Sequence, residues 1–262
     1  MEPGTLIKDI QSLPDDRRIN IRKVGVKNIT YPITVLDKSR QLQKTVATVN
    51  MYVNLPHHFK GTHMSRFIEI LNHFHGQIDL KSFHRILEEM KTKLQAEAAH
   101  IEIEFPYFLK QATDSPQTGV GLKEYRCRMH GSLDWEDDLI LSIQVPISPP
   151  LPAQRANGLP RSLGHWGTAE ISLRFSNFIW IEDLIAMAEE VTTHKLDWPM
   201  PPPASGDLLS VEQITKALGQ KLTSHPHIRW FSITVENLSA GFNTFASLEW
   251  PEPSSGRPND SH

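Results

Sequence analysis

The apolar residues of this chain change their spacing in the same order twice, and that repeat limits the possible folds more than any other feature of the sequence. Residues 18 to 37 and 44 to 55 alternate apolar and polar and are rich in Val, Ile and Thr, which predicts two strands joined across Asp37-Lys38-Ser39. Phe67, Ile70, Leu71 and Phe74 then recur at helical spacing. Leu80, Phe83, Ile86, Leu87, Met90 and Leu94 do the same, with Gly76 between the two runs as a helix-stop signal. Residues 100 to 105 alternate again, and 122 to 132 read as a further strand beyond the loop Thr113-Asp114-Ser115-Pro116. The order is ββααββ. It returns with strands at 138 to 146 and 169 to 175, helices at 179 to 191 and 211 to 222, and strands at 228 to 236 and 245 to 250.

Two such units predict an α+β fold with antiparallel sheets and a helix pair on one face of each. The expected division is an N-terminal segment 1–17, a first unit 18–134, a second unit 135–250 and a mobile tail 251–262. Proline interrupts the order at Ser148-Pro149-Pro150-Leu151-Pro152 through Leu159-Pro160, and again from Trp198 to Gly206. Neither stretch can supply regular backbone donors, so both are loops. The tail PEPSSGRPNDSH has no apolar anchor.

Composition narrows the function. With 39% hydrophobic and 22% charged residues over 262 positions the chain is an ordinary globular one, and a formal charge of −3 gives no basic field for nucleic acid. No apolar run approaches the roughly 20 residues that span a bilayer, and the N-terminus has no basic stretch ahead of an apolar core, which together predict a cytoplasmic protein. The single cysteine, Cys127, excludes an intrachain disulfide and any multi-thiolate metal site within one chain. Its neighbours Arg126 and Arg128 would favour a reactive thiolate, while a half-buried structural cysteine is the alternative.

The stretch from Asn54 to Asn72, NLPHHFKGTHMSRFIEILN, resembles the signature of the prokaryotic type IB GTP cyclohydrolases. Asp9-Ile10-Gln11, Arg17-Arg18-Ile19-Asn20-Ile21, Val24-Gly25-Val26-Lys27, Tyr31-Pro32-Ile33, Thr45-Val46-Ala47 and Met51-Tyr52-Val53 resemble the opening pattern of the same family. The resemblance implies a bimodular tunnelling fold (T-fold) whose subunits close a β-barrel, with a homotetramer as the expected assembly. It also implies a reaction in which a metal-activated water attacks C8 of GTP, formate leaves, and the product recloses as dihydroneopterin triphosphate.

The resemblance further implies where the chemistry would reside. The family holds a divalent metal (Zn, Mn or Fe) with a cysteine after a strand ending Val-Pro, a histidine downstream, and a glutamate between the second pair of helices. Here Gln144-Val145-Pro146 ends the strand and Leu151 stands at the cysteine position. His165 falls at the histidine position, among Trp166, Gly167 and Thr168 in place of Asn-Gln-Arg, and the segment 192–206 contains no glutamate. Ala240-Gly241-Phe242-Asn243-Thr244 replaces the late Ser-Ile-His-x-His pattern. A residual metal on His165 is the most this set supports.

Leu209-Ser210-Val211-Glu212-Gln213-Ile214 matches the segment whose glutamate anchors the N–H edge of a purine or pterin ring, which makes Glu212 the first candidate for ligand binding. A carboxylate has two acceptor oxygens for such an edge, and a first-turn position favours its ionised form. Ser210 with Gln213 also fits a capping box, a purely structural role. Lys60, Thr62, His63 and Arg66 open the first helix beside Gly61 and suit an anionic group such as phosphate; Thr62 or Ser65 as a cap, with Arg66 paired to an acid on a neighbouring subunit, is the alternative. The pairs His57-His58, His73 with His75, and His225 with His227 lack a third ligand and read as surface residues.

These features favour a protein that binds a GTP- or pterin-like heterocycle through Glu212, with cyclohydrolase chemistry lost or altered. A working GTP cyclohydrolase with a remodelled metal site and a non-catalytic structural or regulatory subunit are the alternatives.

Overall fold

The computed structural model describes residues 21–39, 42–55, 63–74, 76, 80–110, 122–147, 167–192, 211–238 and 241–251. Its elements run β1 Ile21–Leu36, β2 Leu42–Leu55, α1 Met64–His73, α2 Leu80–Leu94, β3 Ala98–Lys110, β4 Leu122–Leu133, β5 Asp137–Ile147, β6 Gly167–Phe175, α3 Ile181–Thr192, α4 Val211–Thr223, β7 Ile228–Asn237 and β8 Phe245–Trp250. The expected ββααββ order is present twice. The strands form an eight-stranded sheet in sequence order, antiparallel at β1–β2, β2–β3, β5–β6, β6–β7 and β7–β8. Among the described residues no helix is long and apolar enough to cross a membrane.

The chain packs as two compact units, one from residues 1–106 and 128–140 and the other from 107–127 and 141–262. The ends of β3 and β4 nearest their connection therefore pack with the second half of the chain.

In the first unit the pleat separates two chemistries. Val49, Met51 and Val53 on β2 and Ala99, Ile101 and Ile103 on β3 are wholly buried, as are Phe67 and Ile70 of α1 and Ile86, Leu87 and Met90 of α2. Each helix turns its apolar stripe inward, and α1 meets β1 while α2 meets β2. The alternate residues of the same strands are polar. Tyr52 lies opposite His100 in register, and their rings stack 4.7 Å apart with the Lys23 ammonium 4.7 Å from the tyrosine centroid. Beside them Asn50 donates to Glu102 at 2.9 Å.

Two irregularities in β1 explain part of the N-terminal pattern. A Cβ on Gly25 would lie 1.9 Å from the Met51 carbonyl oxygen, so only glycine lets the two backbones meet there. Asn28 then takes a left-handed φ of 58° at a register shift, and its N–H donates to the Asn50 side chain at 2.8 Å. Gly76, at φ 70°, bends the chain so that its carbonyl accepts from the Thr34 N–H at 2.8 Å.

The second unit repeats the separation. Ile143, Val145, Ala169, Ile171, Phe231, Ile233 and Val235 are buried with Leu184 and Ile185 of α3 and Ile214 and Leu218 of α4. The other sides of these strands carry the Ser142–Ser172 hydrogen bond at 2.7 Å and Arg174 over the Trp230 ring at 4.4 Å.

Gly25→Ala must displace strand backbone rather than a flexible side chain. We expect a loss of about 3 kcal/mol, at the upper end of overpacking costs, read as a lower denaturant midpoint with unchanged slope.

Candidate functional site

The second unit gathers the ends of five elements at one place. Ile147, the last residue of β5, pairs with Gly167, the first of β6, and Gly167 pairs with Asn237 at the end of β7. Glu236 pairs with Phe245 at the start of β8, and the Asn237 N–H donates to the Thr244 carbonyl at 3.0 Å. The fifth is α4, which runs along β8 in the same direction. Thr215 Oγ1 donates to the Ala246 carbonyl at 3.4 Å, and a Cβ on Gly219 would sit 3.3 Å from Leu248. The N-terminal turn of α4 therefore stands at this same end.

Glu212 occupies that first turn, exposed, between Val211 and Ile214, which are buried. The segment bearing Leu151 and His165 leaves from Ile147 and returns at Gly167, so both of its anchors are at the Glu212 end of the unit. Close packing holds them there, since a Cβ on Gly167 would lie 2.0 Å from the Glu236 carbonyl oxygen. His165, Leu151, Lys60, Thr62 and the Ser210 of the expected capping box lie outside the described residues.

His63 and Arg66 belong to the first unit. His63 is the N-cap of α1, in extended conformation and without a side-chain cap bond, and the first turn holds no acidic residue. The Arg66 guanidinium donates to the Lys93 carbonyl at 3.3 Å. That bond ties the start of α1 to the end of α2.

Of the histidine pairs singled out in the sequence, His57, His58 and His75 lie outside the described residues, and His73, His225 and His227 have local partners. His73 meets Glu89 at 3.0 Å, and His227 meets Asn177 at 3.1 Å while its N–H donates to His225. Among the described residues no three His, Cys, Asp or Glu side chains come together as metal ligands.

Cys127 departs from the reactive alternative. It is wholly buried rather than half-buried, and burial followed by the Glu182 carboxylate pushes its thiol up to about 12. The flanking arginines do not reverse this, because side chains adjacent on a strand point to opposite faces.

A polar network beneath α3 is absent from the expectations drawn from sequence. Glu189 accepts from the Tyr125 hydroxyl at 2.5 Å and pairs with the Lys123 ammonium, and the Tyr107 hydroxyl donates to Glu182 at 2.6 Å. Burial, and then the bond to Glu189, raise the Tyr125 pKa strongly. The available signal was two tyrosines on the apolar sides of neighbouring strands, since a buried phenol needs an acceptor.

Comparison with known proteins decides the family. The sequence profile of the type I GTP cyclohydrolase FolE2 family matches residues 7–197. The chain belongs to that family. It is 42% identical to the GTP cyclohydrolase FolE2 of Syntrophotalea carbinolica, over 94% of this chain and 96% of that one. It is 44% identical to the FolE2 protein of Geobacter metallireducens, over 94% and 97%. Among solved structures the fold is shared with the uricase of Bacillus fastidious (TM-score 0.56, 9% identity, 87% and 92% of the chains) and with a Bacillus sp. TB-90 urate oxidase mutant (0.54, 10%, 87% and 99%). These proteins have the tunnelling fold, and so does this FolE2 relative.

Cys127 should resist alkylation in the native protein. With a thiol near 12, roughly one molecule in ten thousand carries thiolate at pH 8, before steric exclusion is counted. Ellman's reagent should report no accessible thiol until denaturant is added, and then one per chain.

Proposed function

We propose that the chain is a working GTP cyclohydrolase, converting GTP to dihydroneopterin triphosphate and formate. The observation that carries this reading is the full-length similarity, 42% and 44% identity over more than nine-tenths of both chains, to proteins named GTP cyclohydrolase FolE2. In this reading Glu212 accepts from adjacent N–H groups of the guanine ring. Its place in the first turn of α4 supports the ionised acceptor form, through the positive end of the helix dipole. His165 acts at the reacting C8, on a segment anchored at the Glu212 end of the second unit. Lys60, Thr62, His63 and Arg66 hold the triphosphate; the extended His63 N-cap supports this, since the N–H groups of an opening helix turn suit an anion. A homo-oligomer, in which a neighbouring copy completes each site, fits this division of roles between the two units.

One observation favours a second reading, a protein that binds the ring without opening it. Leu151 stands where the family's cysteine is expected, and the one cysteine of the chain is buried with a protonated thiol.

Formate release and pterin fluorescence from GTP separate the two, measured with and without added zinc, manganese or iron. Turnover that is lost in His165→Ala supports the first reading. Saturable GTP binding without formate under every metal condition sinks it in favour of the second.

Glu212→Gln replaces an acceptor by a donor at the ring edge. Once the bound ring covers this side chain, such a mismatch costs about 1–3 kcal/mol, which is roughly a 5- to 150-fold loss of GTP affinity in calorimetric titration. The exposed position leaves folding almost unchanged.

A further inference from the structure

The turn between β4 and β5 presents one tryptophan to solvent in an unusual way. Trp135 is 98% exposed, although burying an aromatic ring is among the largest single gains open to a side chain. The turn is not loose. One Asp134 carboxylate oxygen accepts from the Trp135 N–H at 2.5 Å and from the Glu136 N–H at 3.1 Å.

Two bonds from α2 brace it. Lys91 donates to the Asp134 carbonyl at 2.7 Å, and His84 meets Asp137 at 2.6 Å. Lys91 and His84 are seven residues apart, two helical turns on one side of α2, so the turn is held at both ends while the indole is directed outward.

Its surroundings carry both signs of charge. The turn and the start of β5 hold Asp134, Glu136, Asp137 and Asp138. The adjacent end of α2 carries Lys91 in its last turn, beside Lys93, whose ammonium is paired with Glu89, and Arg66 reaches that end through the Lys93 carbonyl. The bonds described for Lys91 and Arg66 end on carbonyl oxygens, which leave the positive charges uncompensated by those contacts.

We propose that Trp135 anchors a two-fold contact between two copies of this chain. A two-fold axis presents the same patch to itself, so an acidic turn beside a basic helix end is brought acid to base twice, with the two indoles buried at the centre. A rigid aromatic at the centre of a polar rim is the arrangement in which one side chain contributes most to association, and the bracing removes the entropy cost of ordering it on binding. Of the residues assigned to GTP the proposal uses Arg66 alone, and that one only for its charge.

Sedimentation velocity over a range of protein concentrations tests it, on wild type, Trp135→Phe, Trp135→Ser and Glu136→Lys. The wild type and Trp135→Phe should reach the same assembled state. Trp135→Ser and Glu136→Lys should fall to a smaller species, with the concentration for half-assembly raised at least about tenfold, and added salt should weaken the wild type in the same direction. Equal thermal melting of the dilute variants would separate lost contact from lost folding. A monomeric wild type, or a Trp135→Ser variant that sediments as the wild type at every concentration, overturns the proposal. The second result would assign the indole to a different partner.

Discussion

The structure depends on the period of two along its strands. One side of each strand must be apolar to cover the helices, which leaves the alternate residues as the only ones whose chemistry can vary without emptying the core. In the first unit this places Met51 and Ile101 under the helices and Tyr52, His100, Asn50 and Glu102 on the other side. In the second it places Ile143 and Ile171 under the helices and the hydrogen-bonded pair Ser142 and Ser172 on the other side, where Ser142 is itself buried. A shift of register by one residue would exchange the sets. Register is therefore fixed by the core, and the polar sides inherit their cross-strand partners from it.

Close backbone approach does the remaining positioning. Gly25 brings β1 against the Met51 carbonyl, and Gly167 brings β6 against that of Glu236. The two glycines differ in consequence. Gly25 sits beside a bulge that turns Asn28 into its left-handed conformation, whereas Gly167 is the first residue after the segment bearing His165 and sets where that segment rejoins the sheet. The packing of α4 on β8 through Thr215 and Gly219 then brings Glu212 to the same end. A site arranged this way would take its accuracy from strand ends and a helix start.

Nearly all of the fold could be read from the chain because alternation and helical spacing are local. The strand expected at 122 to 132 is Leu122–Leu133 and the helix expected at 211 to 222 is Val211–Thr223, since Tyr125, Cys127 and Met129 alternate in the first and Val211, Ile214, Leu218 and Leu222 recur at helical spacing in the second. The largest difference is β3, expected over 100 to 105 and found as Ala98–Lys110, because Pro106, Tyr107 and Phe108 break the alternation of polarity without breaking the strand. The site was less legible. Glu212 was singled out only because a matching segment pointed to it, while the Tyr125–Glu189–Lys123 network joins residues more than sixty positions apart and leaves no local trace. Cys127 shows the same limit in reverse. Its arginine neighbours suggested a lowered pKa, but burial, and after it the Glu182 carboxylate, distant in sequence, raise it instead.

Full-length similarity and local chemistry bear on different parts of the molecule. Identity of 42% spread over nearly the whole chain fixes the core, the register and the strand ends, because those depend on many residues that each contribute a little. A hydrolytic centre depends on three or four atoms whose replacement costs almost nothing in folding and everything in rate. On the proposed placement of Leu151 at a metal-ligand position, an aliphatic side chain on a connecting segment would leave the sheet intact while supplying no thiolate donor. A first-turn carboxylate such as Glu212 is placed by different residues, Val211, Ile214 and Leu218, whose burial holds α4 on the sheet whatever the connections carry. Ring binding and ring opening would therefore respond to different substitutions within one scaffold, and what happens at C8 rather than the fold separates the two readings.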